Sequence, residues 1–164
     1  YVDQALQLFG EGQPKIFCHM ERALTLGDAE DHVKVVLHGE GAPLIEIEIS
    51  SASAYPPENW RISGTQGGLA GSNSDLRWKW FDPATLVPRT VDIHPTPDRS
   101  YNHESYDWQE SSWSRDDYKG PGEKGYYLDL FETIRRGKPL AVAPVSVRRV
   151  IWVLEECHRL APVL

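Results

Sequence analysis

Three consecutive segments of this sequence alternate apolar and polar residues, and this alternation limits the possible folds more than any other feature. The segments read KIFCHME, HVKVVLH and LIEIEIS. A period of two predicts strands with one buried face, whereas a helix needs a period of about 3.6. In the third segment Ile45, Ile47 and Ile49 share one face. The short stretch HGEGAP allows a tight reversal, so we predict that these strands form an antiparallel meander.

Further strand candidates follow along the chain. WRISG and LRWKWFD have strand character, and RTVDI is a weaker candidate. Trp78 and Trp80 are two residues apart and therefore share a face. The run GTQGGLAG, residues 64–71, lacks the Lys and Ser or Thr of a phosphate loop and does not match G-x-G-x-x-G, so we predict a turn and no nucleotide site. The polar stretch 94–124 has the length of a functional or mobile loop. The alternative for the part around YDWQESSW is an edge strand whose aromatic side chains pack down.

Helical periodicity is found at both ends of the chain. The opening segment YVDQALQLFG repeats apolar residues at helical spacing and ends at Gly10, but no capping residue or initiator Met precedes it, so we expect further chain before it. A later helix carries Tyr127, Leu130, Phe131 and Ile134 before Gly137. A last helix starts near Pro144 and is predicted to bury one side, made of Val147, Val150, Ile151, Leu154 and Ala161.

Strands followed by helices are typical of an α+β domain. We therefore predict an open, mostly antiparallel sheet of about five to seven strands with the helices on one face, and a single domain over residues 1–164. The other face carries Phe17, Val36 and either the isoleucine row or the tryptophan pair, which is too apolar to remain in water. We predict that this face pairs two copies of the chain in a homodimer.

Composition excludes several partners. The net charge of −7 and the scattered Lys and Arg residues argue against nucleic acid and anionic membranes. The sequence has no apolar run of about 18 residues and no secretory leader, which predicts a cytoplasmic protein. The two cysteines, Cys18 and Cys157, allow a disulfide, but two buried thiols fit a reducing compartment better.

Few residues suggest catalysis or metal binding. The histidines have no zinc-site spacing, which argues against a metal site, and Cys157 and His158 project from a helix in different directions. The sequence contains no G-x-S-x-G elbow. GDAEDH, residues 27–32, is interpreted as an acidic turn that leads into a strand. The six histidines are His19, His32, His38, His94, His103 and His158.

Several separated stretches resemble the glucose-fructose oxidoreductase and inositol dehydrogenase family (Gfo/Idh/MocA). YVDQALQLFG is similar to the segment after the family's catalytic His, where Gly-x-His-x-x-Asp begins a helix that ends in LFG. Asp3 matches the final Asp of that pattern, which places the His one position before Tyr1. GDAEDHVKVVLH resembles the family's acidic turn and second strand, and WRISGTQGGL its Ile-x-Gly-Thr-x-Gly strand pair. YYLDLFETIRRGKPLAVAPVSVRRVIWVLEECHR resembles its closing helices.

The resemblance implies that the chain is the C-terminal half of a two-domain oxidoreductase, with a dihydrodipicolinate-reductase-like fold. Such a family member has an N-terminal Rossmann domain that binds NAD or NADP and carries a Glu-Lys-Pro motif, both absent from this sequence. The implied reaction is hydride transfer between the nicotinamide and a hydroxyl-bearing carbon of a sugar, cyclitol or related polyol. The C-terminal half would supply part of the substrate pocket, with Asp3 as a substrate contact, and the contacts between subunits. Alone, it would be inactive and would bind no cofactor.

Two other functions are compatible with the residues. In a stand-alone carbohydrate-binding module, Tyr101, Tyr106, Trp108 and Trp113 would stack on sugar rings. A purely structural dimerisation domain would use the apolar sheet face alone. The coding sequence upstream of Tyr1 distinguishes these possibilities from a two-domain oxidoreductase.

Overall fold

The fold was analysed in a computed structural model, which describes residues 1–86 and 105–162, apart from the side chain of Glu123. The chain divides into two compact units. The first comprises Tyr1–Tyr55 and Pro121–Leu164, and the second comprises Pro56–Gly120. The predicted strand RTVDI, residues 89–93, lies outside the described residues. No helix in the described part of the chain is long and apolar enough to cross a membrane.

The described elements follow the predicted order of a helix, a series of strands and two closing helices. The helices and strands of the first unit are α1 (Val2–Phe9), β1 (Lys15–Glu21), β2 (His32–His38), β3 (Ile45–Ser50), α2 (Gly125–Arg136) and α3 (Pro144–Leu160). The strands of the second unit are β4 (Trp60–Ser63), β5 (Gly67–Gly71), β6 (Asp75–Trp80) and β7 (Gln109–Ser114). This content confirms the α+β class.

The first unit is built on the predicted meander. Strands β1, β2 and β3 pair antiparallel in that order, with Cys18 opposite Val35 and Val35 opposite Ile47. These three side chains are buried, which shows that the isoleucine row faces the core. Helices α1 and α3 cover this face. The core residues of the first unit are Ala5, Leu6, Phe9, Cys18, Met20, Val35, Leu37, Ile47, Val153 and Cys157.

The buried side of α3 differs from the predicted one. Val153 and Cys157 are buried, whereas Val147, Ile151 and Leu154 are 45%, 48% and 41% exposed. Val150 and Ala161 of the predicted side do pack against the core, so the prediction is confirmed in part. It is wrong for the other three residues because apolar residues extend around more than half of this helix. Periodicity alone cannot choose between two apolar stripes on one helix.

Helix α2 has the predicted limits but not the predicted packing. It ends before Gly137, whose φ of 66° is the left-handed conformation that glycine adopts readily. Its apolar side chains Tyr127, Phe131 and Ile134 are 72%, 52% and 70% exposed. Its main contacts are with the 3-10 turn that precedes it, 122–124. The prediction that the helices pack on one sheet face is therefore correct for α1 and α3, and wrong for α2.

The strands form two sheets, so the prediction of a single sheet is not confirmed. In the described residues, seven strands divide into a sheet of three and an antiparallel sheet of four in the order β4-β5-β6-β7. The segment between β3 and β4 contains Pro56 and Pro57. Proline has no backbone N–H to donate to a ladder, which is consistent with a break in pairing here.

The glycine-rich run begins with the predicted turn between strands, at 64–66, and continues as a strand, which corrects the prediction for its remaining residues. Gly67–Gly71 forms β5, in the middle of the second sheet. A Cβ at Gly67 would lie 2.2 Å from the carbonyl oxygen of Lys79. A Cβ at Gly71, where φ is 151°, would lie 2.1 Å from the carbonyl oxygen of Asp75. These glycines permit close approach of β6 rather than a reversal of the chain.

The second sheet has one apolar and one charged face. Ile62 lies opposite Leu69, and Leu69 opposite Trp78, so their side chains share a face. The neighbouring positions on the other face hold Arg61 and Arg77. We call the first the tryptophan face, and its large side chains are Trp60, Ile62, Leu69, Leu76, Trp78, Trp80 and Trp113. None of these seven side chains is fully buried.

Strand β7 confirms the edge strand that was predicted from YDWQESSW. It pairs with β6 alone among the described strands. The aromatic residues just before it pack down, as predicted. Tyr106 stacks on Phe81 with ring centroids 4.4 Å apart, and Trp108 meets both rings edge-on.

Candidate functional site

The first turn of α1 carries the predicted substrate contact. Leu6 and Phe9 anchor one side of α1 in the core, and Asp3 is exposed on another side. Gln7 Nε2 donates a hydrogen bond of 2.9 Å to Asp3 Oδ2. Asp3 Oδ1 accepts no hydrogen bond from the described part of the chain. The carboxylate is therefore held at one oxygen and open to a ligand at the other.

The start of α1 gives Asp3 a structural role as well. Tyr1 occupies the capping position without a side-chain hydrogen bond. An acidic residue in the first turn interacts favourably with the unpaired amide groups and the positive end of the helix dipole. The geometry is compatible with both a helix-stabilising Asp3 and a substrate-binding Asp3.

The histidines do not converge on a metal site. His19 and His32 lie on the outer face of the first sheet with ring centroids 6.4 Å apart, and His19 Nε2 is 3.6 Å from Glu21 Oε2. His38 ends β2, and His158 is exposed on α3 beside buried Cys157. His94 and His103 lie outside the described residues. Within residues 1–86 and 105–162, no three His, Cys, Asp or Glu side chains are placed to hold a metal ion.

The outer face of the first sheet is more charged than its sequence pattern suggested. Phe17 and Val36 lie opposite each other on this face, as predicted, and Val36 is opposite Glu46. Lys34 Nζ lies 2.9 Å from Glu46 Oε1 and 3.0 Å from Glu48 Oε2. The hydrogen bonds to Glu46 and Glu48 raise the pKa of Lys34 above its ordinary value. Charge pairing rather than a continuous apolar patch dominates this surface.

The two cysteines are buried, free thiols in the core of the first unit. This confirms the prediction of two buried thiols rather than a disulfide. They belong to the same core cluster, Cys18 on β1 and Cys157 on α3. Burial raises the pKa of Cys18, and burial together with the Cys18 hydrogen bond raises the pKa of Cys157 to about 12. Because the thiolate is the reactive form, neither residue is suited to nucleophilic catalysis.

The acidic segment GDAEDH is a structural turn, which confirms its interpretation from the sequence. Asp31 Oδ1 accepts the backbone N–H of Ala23 at 2.6 Å, and Oδ2 accepts those of Leu24 at 2.9 Å and Thr25 at 2.7 Å. These three hydrogen bonds lower the pKa of Asp31 to about 2. The carboxylate organises its own loop and is not free to bind a ligand.

The aromatic residues considered for sugar stacking are used in part within the protein. Tyr106 and Trp108 pack against Phe81, and Trp113 lies opposite Leu76 on the tryptophan face. Tyr101 lies outside the described residues. The three described side chains do not form one flat platform, which weighs against the carbohydrate-binding module.

One charged groove was not predicted from the sequence. Arg61, Arg77 and Lys79 line a cavity of about 310 Å³ on the second sheet, together with Gly68 and Ala70. The sequence contains a signal for this groove. In WRIS and LRWKW the cations alternate with apolar residues of the tryptophan face, which places the cations on the opposite face. A second groove of about 380 Å³ lies in the first unit beside Ile16 and Trp152.

The sequence matches no protein-family model and no curated protein. Solved structures of similar fold do exist. An oxidoreductase from Bacillus cereus has a TM-score of 0.69 at 16% identity, and the match covers 96% of this chain and 46% of that one. The UDP-N-acetylglucosamine 3-dehydrogenase GnnA from Acidithiobacillus ferrooxidans has a TM-score of 0.68 at 15% identity, covering 98% and 45%. An NAD-binding protein from Listeria innocua has a TM-score of 0.66 at 16% identity, covering 98% and 46%.

These matches concern the fold. Nearly all of this chain superposes on less than half of each of these larger chains. The chain therefore has the fold of a part of oxidoreductase chains that are about twice as long.

Proposed function

We propose that this chain is the C-terminal substrate-binding and oligomerisation domain of an NAD(P)-dependent oxidoreductase that acts on a sugar, cyclitol or related polyol. One observation carries the proposal. The match covers 96–98% of this chain but only 45–46% of the three oxidoreductase and NAD-binding chains named above. The resemblance of the opening, strand and closing-helix motifs to the Gfo/Idh/MocA family supports the same assignment independently.

The nucleotide cofactor is assigned to the other half of the protein. A dinucleotide phosphate site needs a glycine-rich turn between a strand and the N-terminus of a helix. Here the glycines of 67–71 lie inside a strand, and β6 approaches two of them too closely for a Cβ. The glycine-rich turn of a dinucleotide site is therefore missing from the residues that the structure describes, and no step of hydride transfer is assigned to them.

The role proposed for this chain is to bind and orient substrate. Asp3 has one carboxylate oxygen held by Gln7 and one open to accept a hydrogen bond from a substrate hydroxyl. The family pattern places the proton-transferring His immediately before Tyr1. Asp3 would then lie in the same first turn and fix a hydroxyl close to the reacting carbon.

We propose that the oligomer forms through sheet faces, chiefly through the tryptophan face of the second sheet. On the first sheet, Lys34, Glu46 and Glu48 interrupt the apolar pair of Phe17 and Val36. The tryptophan face has at least one apolar side chain on each of the four strands, with Ile62 42% and Trp80 37% exposed. Burial of such a face against a second copy would offset the cost of association.

The exposed stripe of α2 is proposed to contact the dinucleotide-binding half. Tyr127, Phe131 and Ile134 recur at helical spacing and remain more than half exposed. An amphipathic helix gains most of its stability from packing of its apolar side. A neighbouring domain of the same protein would provide that packing.

The upstream coding sequence tests the proposal. A strand, a loop with G-x-G-x-x-G and a helix encoded before Tyr1, together with polyol-dependent formation of NADH or NADPH by the complete protein, are expected. A start codon or a secretory signal directly at Tyr1 would contradict the two-domain assignment.

A further inference from the structure

The charged face of the second sheet contains a groove with a low floor and cationic walls. The groove has a volume of about 310 Å³, at the lower end of the range of about 300–1,000 Å³ that is typical of ligand sites. Ser63, Gly68 and Ala70 form the floor, and Arg61, Arg77 and Lys79 rise beside it, with the carboxylate Glu110 also in the lining. The chain as a whole carries a net charge of −7, whereas the lining of this groove holds three cations against one carboxylate.

The strand register brings the cations to two sides of the floor. Arg61 on β4 and Arg77 on β6 are both opposite Ala70 on the central strand β5. Adjacent strands are about 4.8 Å apart, so the two arginine backbones are about 10 Å apart across Ala70. Lys79 is opposite Gly68, one register along the same face. Side chains of this length can converge on a group that lies above β5.

The small floor residues keep the groove open. Gly68 carries no side chain, and a Cβ there would lie 3.0 Å from the carbonyl oxygen of Ile62. Ala70 adds only a methyl group between the two arginines. Longer side chains at these two positions would fill the space between the cations.

The cations are available to a ligand to different degrees. Arg77 Nη1 lies 2.8 Å from Glu58 Oε1, and Lys79 Nζ lies 3.0 Å from Glu110 Oε1. Both are exposed ion pairs, which contribute little stability and are readily exchanged. Arg61 forms no ion pair with any residue that the structure describes. The groove therefore has an uncompensated guanidinium directly across β5 from a second one.

We propose that this groove binds an anionic ligand of the diphosphate class, with Arg61 and Arg77 each contacting one phosphoryl group and Lys79 adding charge. Guanidinium groups recognise phosphate oxygens through paired hydrogen bonds, and two of them on opposite sides favour a two-centred anion over a single phosphate. The site is formed entirely within the second sheet and does not depend on the proposed function.

Calorimetric titration of the complete 164-residue chain with inorganic pyrophosphate at low ionic strength tests the proposal. Saturable binding with one site per chain is expected. Inorganic phosphate is expected to bind at least tenfold more weakly, because one phosphoryl group cannot engage both arginines. Absence of saturable pyrophosphate binding, or equal affinity for the two anions, would overturn the proposal.

Matched variants locate the site. Arg61→Gln and Ala70→Leu should each weaken pyrophosphate binding at least tenfold, the first by removing a contact and the second by filling the floor. Arg135→Gln, which removes an exposed arginine of α2, should leave the affinity unchanged. Circular dichroism spectra of the three variants confirm that the fold is retained. Equal weakening by Arg61→Gln and Arg135→Gln would show a general charge effect and contradict a specific site.

Discussion

Asp31 accepts a hydrogen bond of 2.7 Å from the backbone N–H of Thr25, six residues earlier in the chain. The same carboxylate also accepts the N–H groups of Ala23 and Leu24, so one side chain satisfies three consecutive backbone donors. The loop that joins β1 to β2 is thus held by an acid at the start of the second strand.

This arrangement predicts a loss of loop order in acid. The pKa of Asp31 is lowered from 3.8 to about 2 by its three backbone hydrogen bonds. A carboxyl group whose folded pKa is lowered contributes stability above its unfolded pKa, and this contribution is lost as the pH falls from about 4 towards 2. Hydrogen exchange of the amides of 23–25 should therefore accelerate relative to the core strands over this range. Unchanged relative protection down to pH 2 would contradict the prediction.

Substitution of Asp31 should have the same effect at neutral pH. Asp31→Ala removes both carboxylate oxygens and with them all three hydrogen bonds, so exchange of the amides of Ala23, Leu24 and Thr25 should increase about tenfold or more. Asp28→Ala, in the same acidic turn, is the control and should leave these amides protected. Equal effects of the two substitutions would show that general acidity, rather than the Asp31 hydrogen bonds, orders the loop.

The buried side of α3 can be tested with two neighbouring residues. Val153 is 0% exposed and Ile151 is 48% exposed. Val153→Ala should lower the free energy of unfolding by about 2 kcal/mol, because it removes two methyl groups from a packed core. Ile151→Ala should cost less than about 1 kcal/mol. Urea denaturation measures the free energy of unfolding of both variants. A larger loss for Ile151→Ala than for Val153→Ala would support the buried side that was predicted from periodicity.

The proposed role of Asp3 is tested in a full-length protein that contains this chain. Asp3→Asn should lower kcat/KM about tenfold to hundredfold, since a hydrogen bond to a charged group contributes about 1.5–3 kcal/mol. Gln7→Ala is the matched control, because it removes only the hydrogen bond within the helix. Unchanged kinetics of Asp3→Asn, with a small loss of stability in both variants, would leave only the structural role.

The proposed dimer is expected to sediment at twice the chain mass at micromolar concentration. Ile62→Lys places a charge on the tryptophan face and should produce a monomer, because an unpaired charge cannot be buried between two sheets. Val36→Lys, on the outer face of the first sheet, should also weaken association if that face contributes. A wild-type chain that sediments as a monomer would contradict association through either face.

The isolated chain is expected not to bind NAD or NADP and not to oxidise polyols. The described residues provide no glycine-rich turn at a helix N-terminus of the kind that binds dinucleotide phosphates, because the glycines of β5 lie within a strand. Calorimetric titration with each cofactor measures this directly. Binding of either cofactor at micromolar concentration that Arg61→Gln does not weaken would contradict the proposed division between two domains, because such binding would not come from the charged groove of the second sheet.

Local patterns in the sequence were sufficient to predict most elements. The limits of β1 and β2 follow from strict alternation, and the ends of α1 and α2 follow from Gly10 and Gly137, which have φ values of 90° and 66°. Such features depend on residues within one or two turns or pleats of each other. The motif resemblance indicated Asp3 as a substrate contact, which stays a prediction.

The tertiary structure decided what no local pattern contains. Val153 rather than Ile151 is buried because α3 packs on β1 in one orientation, and a helix with two apolar stripes is compatible with either. Positions 67 and 71 of β5 are occupied by glycine because β6 passes too close for a Cβ. The arginines on two sides of Ala70 are 16 positions apart in sequence and share a groove only through strand register. Periodicity is a property of neighbouring residues, whereas packing, close approach and convergence of charge depend on segments that meet only when the chain is folded.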